Sequence, residues 1–263
     1  MKQCGVWVYG MAIVAVAAVA IAVPAAQAPA AATPPAVDEI VKGNLAARGG
    51  AEKLRAVNTV KSIGKVKSQR GETAVSSWTK RPNMIRREQV NEGQTFVMGF
   101  DGTTVWAINP LMSQRAREIT GPQAEMTRQD ADDFDTILLD YKAKGHTVEL
   151  VGTETVQGTR QHRLRVTKRG GAIQDIFIDA ATMLESKIVM QMDQGGRKAI
   201  VTLEFSNYKD VDGIKVPFHI KQSLNGQVMT EVTYDRVEFN EPMPDNLFEI
   251  PKAGSGQELG ARS

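Results

Sequence analysis

Val216–Phe239 reads VPFHIKQSLNGQVMTEVTYDRVEF, and its alternation decides the fold class. Val216, Phe218 and Ile220 fall on one side of an extended chain, because successive side chains of a strand point to opposite faces. Asn225-Gly226 then breaks the pattern with two residues that tolerate positive φ, the signal of a two-residue hairpin turn. Val228–Phe239 follows as the returning strand.

The same rhythm extends back along the chain. Thr147–Thr155, Arg160–Thr167, Ile173–Asp179, Met183–Gln191 and Lys198–Tyr208 read as strands, separated at Gln157-Gly158, Gly170-Gly171 and Gln194-Gly195-Gly196, with Asp212-Gly213 before Val216. Earlier still come Thr59–Gln69, Glu72–Arg81, Met84–Val90, Thr95–Phe100 and Thr103–Asn109. Their breaks are Arg70-Gly71, Pro82-Asn83, Asn91-Glu92-Gly93 and Asp101-Gly102. Short turns mean antiparallel neighbours, so about a dozen strands in sequence order, with one helical insertion, describe one large curved antiparallel sheet. Such a sheet must close, cover its inner face or aggregate. No repeat of fixed length runs through the chain, which argues against a propeller or solenoid.

Helical periodicity is confined to two places. Asp38–Ala56 begins with Asp38 as an amino-terminal cap, sets Ile40, Val41 and Leu45 on one face, and meets a left-handed stop at Gly49-Gly50 before a short turn, Ala51–Ala56. Gln123–Tyr141 lacks Gly and Pro and spaces Phe134, Ile137, Leu138 and Tyr141 as an apolar stripe, which predicts a helix lying on the sheet. Asp130, Asp132, Asp133 and Asp135 are expected at a helix start, where the dipole favours carboxylates.

The first 28 residues read as a secretory signal. Lys2 is the only charged residue before Asp38, and Val6–Val23 is apolar apart from Gly10. Ala26-Gln27-Ala28 supplies the small residues that signal peptidase requires, with cleavage after Ala28. An uncleaved anchor helix is the alternative. Residues 29–36 are expected to be a disordered linker, 37–250 a single β-rich domain and 251–263 a flexible tail. Cys4 lies before the apolar run, so the mature chain has neither a lipid-bearing cysteine nor a disulfide, and its stability rests on an apolar core. Without Lys2 the balance is 31 basic against 30 acidic residues, and the resulting net charge of +1 gives no electrostatic case for nucleic acid or an anionic membrane surface.

Chemistry-bearing motifs are sparse. His146, His162 and His219 are isolated, and no phosphate loop, G-x-S-x-G elbow or H-E-x-x-H is present. The expectation is therefore binding rather than catalysis, with no cofactor and no metal. Apolar faces repeat along the strands: Phe96 with Met98 and Phe100, Trp106 with Ile108, Leu184 with Ile188, Met190 and Met192 on the side of Ser186, and Ala199 with Val201, Leu203 and Phe205. Glu185, Lys187 and Gln191 are read as facing the other way. Nine of the eleven Met residues lie beyond the signal, and Met suits a pocket that adapts to lipid chains. The plain alternative is an ordinary packed core. Lys80, Arg81, Arg86 and Arg87 flank Pro82-Asn83 as a basic rim for an acidic partner or headgroup, or as a charged edge that discourages sheet pairing.

Val37–Val60, VDEIVKGNLAARGGAEKLRAVNTV, followed by Phe100-Asp101-Gly102-Thr103-Thr104-Val105-Trp106, Asn109-Pro110 and Asn207–Phe218, resembles the LolA-like superfamily of periplasmic outer-membrane lipoprotein-sorting proteins. The resemblance spans about Val37 to Ile250. It implies a mainly β fold with some α, an incomplete, half-open barrel with a helical lid over an apolar cavity. It also implies a periplasmic carrier that binds acyl chains of lipoproteins or other lipids and meets inner- or outer-membrane delivery proteins. Strand alternation makes Trp78, Met98, Trp106, Phe134, Leu138, Met190, Leu203 and Phe205 the cavity candidates. The rival readings are an envelope sensor or protein-interaction module on the same fold, and a hydrolase with a site built from scattered polar residues.

Overall fold

In the computed structural model, residues 36–132, 134–156, 158–194 and 197–251 are described. The expected signal, its Ala26 and Ala28 cleavage site, the linker before residue 36 and the tail after 251 lie outside them. A first meander runs through β1 (Thr59–Ser68), β2 (Gly71–Lys80), β3 (Met84–Asn91), β4 (Gln94–Phe100), β5 (Val105–Asn109) and β6 (Ser113–Glu118). A second comprises β7 (Thr147–Val156), β8 (Thr159–Thr167), β9 (Ile173–Asp179), β10 (Glu185–Gln194), β11 (Arg197–Val211), β12 (Ile214–Leu224) and β13 (Gln227–Phe239).

The last strand returns to the first. β13 pairs antiparallel with β1 from Val60↔Phe239 to Ser68↔Thr230, which joins the two meanders into one 13-stranded sheet, so the strands do not lie in sequence order as expected: β1 and β13 are central, because a long-range pairing rather than a turn makes the seam. The sheet is not closed into a barrel; β6 and β7 are its edges. At the seam the register shifts between Ile63 and Gly64. A Cβ on Gly64 would lie 2.2 Å from the Thr233 carbonyl oxygen, so the seam closes only around a residue without a side chain.

β6 is a strand that alternation does not reveal. Its sequence, SQRARE, offers one apolar residue, and it is extended because it pairs with β5 through Trp106↔Glu118 and Ala107↔Arg117. A polar edge strand of this kind resists further sheet pairing.

Helix α1 (Val37–Ala47) begins one residue before Asp38, so Asp38 is not its cap. Asp38 instead accepts hydrogen bonds from Tyr141 Oη (2.8 Å) and Lys142 Nζ (2.9 Å). Ile40 and Val41 are buried with Leu164, Val166, Ile176 and Ile178 of β8 and β9. Gly49 ends α1 with φ +119° and meets the Gly213 carbonyl where the helices turn onto the β11–β12 connection. Helix α2 (Ala51–Ala56) follows and packs Leu54 against Ile214 and Leu139.

The single helix expected over Gln123–Tyr141 is shorter. Helix α3 spans Pro122–Asp132, and residues 137–145 form successive turns. The reason is burial on more than one side. Leu138 enters the α1 cluster while the adjacent Leu139 enters the α2 cluster, and Ile137 and Tyr141 are buried as well. One helical stripe cannot serve neighbouring residues pointing into different cores. The acidic residues accordingly lie at the end of α3 and beyond, not at a helix start. Asp130 pairs with Arg87, Asp132 accepts from Asn83, and Asp135 pairs with Arg81 and Lys144. Those cations offset the unfavourable dipole. Asp133 is outside the described residues.

Ion pairs ring the apolar anchors of the segment after α3. Besides Asp135, Asp140 receives two hydrogen bonds from Arg55 (2.6 and 2.8 Å), and Thr136 donates to Glu185 at 3.3 Å. Glu185, 6% exposed, also takes Arg48 of the α1–α2 corner at 3.1 Å. Asp140 is held below the usual carboxylate range chiefly by the Arg55 hydrogen bond, and Asp38 by that of Lys142 and then Tyr141.

Three outcomes follow for stability. Gly64→Ala should destabilise by about 1–3 kcal/mol, read as a lower urea midpoint. Glu185→Ala should cost about 3 kcal/mol, because it leaves Arg48 partly buried without its partner. A carboxylate with a lowered folded pKa stabilises above its unfolded value and loses that contribution as pH falls through the folded one. Asp38→Asn/Asp140→Asn should therefore be less stable than wild type at about pH 6, with the difference shrinking as pH falls below the ordinary carboxylate value of about 3.9.

Candidate functional site

Cross-strand partners share a face, so the registers trace rows across the sheet. Ser62, Ser77, Arg87 and Met98 form one row over β1 to β4. This is the helix side: Thr127 of α3 donates to Met98 Sδ at 3.3 Å, and Asp130 of α3 pairs with Arg87 at 3.0 Å. On the same face, Phe205, Ile220, Val232, Val66 and Thr73 form a second row across β11, β12, β13, β1 and β2. Ile188 lies opposite Leu203, and Met190 lies opposite Val201.

Helical cover on this face is uneven. The α1 cluster, including Ile188 at its border, covers β7 to β10, while Ala124 and Ala131 of α3 pack with Ile85, Phe100 and Val105 over β3 to β5. Between these covered regions Val66, Val75, Leu203, Phe205, Ile220 and Val232 are only half-buried and belong to none of the buried apolar clusters. Met98 and Met190 flank them, also half-buried. An apolar band left part-exposed along the middle of a sheet is the strongest candidate for a binding surface in the molecule.

The cavity candidates divide between the two faces. Met98, Met190, Leu203 and Phe205 stand on the open band. Leu138 is fully buried in the α1 cluster, and Phe134 packs beside α2 with the Arg81 guanidinium 4.6 Å from its ring centre. Trp78 and Trp106 are on the opposite face, in the row Trp78, Arg86, Gly99, Trp106. Trp106 is fully buried; a Cβ on Gly99 would lie 2.4 Å from its ring, and its Nε1 donates to the Phe248 carbonyl at 2.7 Å. Alternation places residues on faces but does not say which face is covered, and here the chain's own segment after β13 covers the second one.

That segment is fastened along β2 and β3. Lys80 donates to the Met243 carbonyl and to Asp245, both at 2.6 Å, and Arg86 donates to the Leu247 carbonyl at 2.9 Å. A cavity of about 360 Å³ lies beneath it, lined by Lys61, Trp78, Arg236, Glu238, Met243 and Leu247 among others. A second, of about 590 Å³, is lined by Asn58, Lys80, Asn240 and Pro244 among others. Both are on the outer side or at its margin, away from the apolar band.

Lys80, Arg81, Arg86 and Arg87 do not stand together as a rim. Lys80 and Arg86 serve the carboxy-terminal segment, Arg86 being 4% exposed and bonded to Glu88, whereas Arg81 and Arg87 hold Asp135 and Asp130 on the helix side. The polar group that sequence reading missed is Glu185. A register shift between Glu185 and Lys187 sets it opposite Ile178, on the covered face, although strict alternation turns it outward. Tyr208 Oη donates to the Glu185 carbonyl at 2.8 Å, and burial raises the Tyr208 phenol well above its ordinary range.

The histidines remain apart. His162 Nδ1 lies 3.0 Å from Thr153 Oγ1, and burial, then Arg160, lowers its pKa. His219 lies 3.0 Å from Ser206 Oγ and 3.4 Å from Glu231, while His146 accepts the Arg169 amide. Among the described residues no group of three or more His, Cys, Asp or Glu side chains is arranged to hold a metal ion.

Comparison with known proteins agrees with this geometry at the level of fold. An outer membrane lipoprotein-sorting protein domain from Vibrio parahaemolyticus is similar with a TM-score of 0.52 and 16% identity, over 80% of this chain and 94% of that one. A DUF1329 family protein from Desulfovibrio piger gives 0.56 and 14%, over 81% and 97%. A LolA superfamily protein from Nitrosomonas europaea gives 0.53 and 14%, over 81% and 96%. No curated protein matches. A family model described as "-like: Uncharacterized protein" matches residues 80–251, well over half of the chain. The chain belongs to that family, and its fold is the open, mainly β sheet with few helices of the LolA-like proteins.

Proposed function

We propose that the protein is a periplasmic carrier that shelters the acyl chains of lipids or lipoproteins against the half-buried apolar band of its sheet. The band itself carries this reading. Val66, Leu203, Phe205, Ile220 and Val232 are neither packed into a core nor arranged around a catalytic group. An acyl chain in water costs roughly 0.8 kcal/mol per exposed CH2, and a band of this kind relieves that cost over many carbons. Half-exposure also suits release, since a carrier must bind its cargo without trapping it.

Met98 and Met190 at the borders can repack around chains of different shape. The residue 137–145 turns and α1, packed through Ile40, Val41 and Leu138 and ringed by exposed ion pairs, would act as a cover that shifts while the strands stay paired. A secretory signal at residues 1–28 would deliver the chain to the compartment where lipid must cross water. The solved neighbours described as lipoprotein-sorting and LolA superfamily proteins support the same reading.

Native mass spectrometry of the protein purified from its own periplasm, with lipid extraction from the same sample, tests it. Bound lipid or acylated protein is expected. Leu203→Asp/Phe205→Asp should abolish it while far-ultraviolet circular dichroism remains unchanged, because both positions are already half in water. An empty wild type that also takes up no fluorescent fatty acid contradicts the carrier, and points to protein partners for this fold.

A further inference from the structure

In an antiparallel meander alternate turns lie at the same end of the sheet. The β1–β2, β3–β4, β5–β6, β8–β9 and β12–β13 turns share one end here. Among the described residues ten large apolar side chains are exposed, and seven of them stand at that end: Val90, Leu111, Met112, Ile173, Ile200, Val228 and Met229. Leu111 and Met112 dominate, 74% and 73% exposed at the tip of the β5–β6 hairpin. The tip is a formed turn, with the Met112 amide bonded to the Asn109 carbonyl at 2.9 Å and the Leu111 amide to Asn109 Oδ1 at 3.1 Å. Turns in water favour Gly, Asn and Asp, so two adjacent apolar residues held outward on a fixed turn call for an apolar medium.

Charge identifies that medium. Arg115 and Arg117, on the strand directly behind the tip, are exposed and make no ion pair among the described residues. Arg70, Arg169 and Lys198 add exposed positive charge at the same end, against Glu92, Glu149 and a Glu72 already paired with Lys65. The opposite end differs: Asp135, Asp140, Glu185 and Asp245 there are matched by cations of this chain, and Asp101, Asp179 and Asp212 in its turns make no ion pair among the described residues, so its unmatched charge includes carboxylates. Apolar tips backed by unmatched arginines fit the boundary between acyl chains and phosphate headgroups.

We propose that this end of the sheet docks on an anionic lipid bilayer, with the Leu111-Met112 tip entering the interface and Arg115 and Arg117 meeting the phosphates. The docking does not depend on the cargo assigned above. Cosedimentation of residues 29–263, free of the apolar Val6–Val23 segment, with phosphatidylcholine vesicles containing or lacking phosphatidylglycerol tests it. Wild type should bind the anionic vesicles and lose binding as salt is raised. Leu111→Ser/Met112→Ser should weaken binding at least about tenfold. Arg115→Gln/Arg117→Gln should weaken it on anionic vesicles and flatten the salt dependence. Leu203→Asp/Phe205→Asp, on the cargo band, should bind vesicles as wild type does. The proposal is overturned if wild type does not bind, if the tip variant binds as tightly as wild type, or if only the band variant loses binding, which would mean lipid uptake rather than docking.

Discussion

The pairing of β1 with β13 is the constraint on which the rest depends. Each meander alone would be a strip with two unpaired edges and one uncovered face. Joined at the seam they form a sheet broad enough to carry helical cover in two places and an open band between. Gly64 shows how tight the seam is, since its position lies against the backbone of β13 with no room for a methyl group. The band crosses this seam, with Val66 on β1 facing Val232 on β13. Loss of the pairing would therefore divide the surface assigned to cargo as well as the fold.

Cover and sheet are held by different forces, and that division has mechanical meaning. The strands are joined by backbone ladders and cross-strand pairs throughout, whereas the helical cover combines two apolar clusters with a perimeter of ion pairs. Exposed ion pairs contribute little each and exchange readily with water, so the perimeter can yield before the ladders do. Glu185 is the exception. It is buried, joins Arg48, Thr136 and Tyr208, and ties the cover to the point where β9 turns into β10.

Much of the sheet was legible in the sequence because period-two alternation and Gly or Asn turns are local signals. Asn225-Gly226 lies between the strands it was expected to join, and each meander follows from a run of short hairpins. Features set by distant contacts were not legible. β6 is a strand through its partner rather than its composition, and Glu185 faces inward through a bulge. Residues 137–141 look helical by spacing, yet serve two cores at once. The open band was readable as apolar alternation at Leu203 and Phe205, but Trp78 and Trp106 were not separable from it. Their face is decided by register, and their cover by a segment more than a hundred residues away that bonds Trp106 through Phe248.

Which face of the sheet meets lipid decides whether the open band is the cargo surface. Photocrosslinking with a diazirine fatty acid, followed by peptide mapping, reads that directly. Adducts concentrated on Met98, Met190, Leu203, Phe205 and Ile220 are the predicted result. Adducts on Trp78, Met243 and Leu247 beneath the carboxy-terminal segment, or none above the level of unfolded protein, would contradict it.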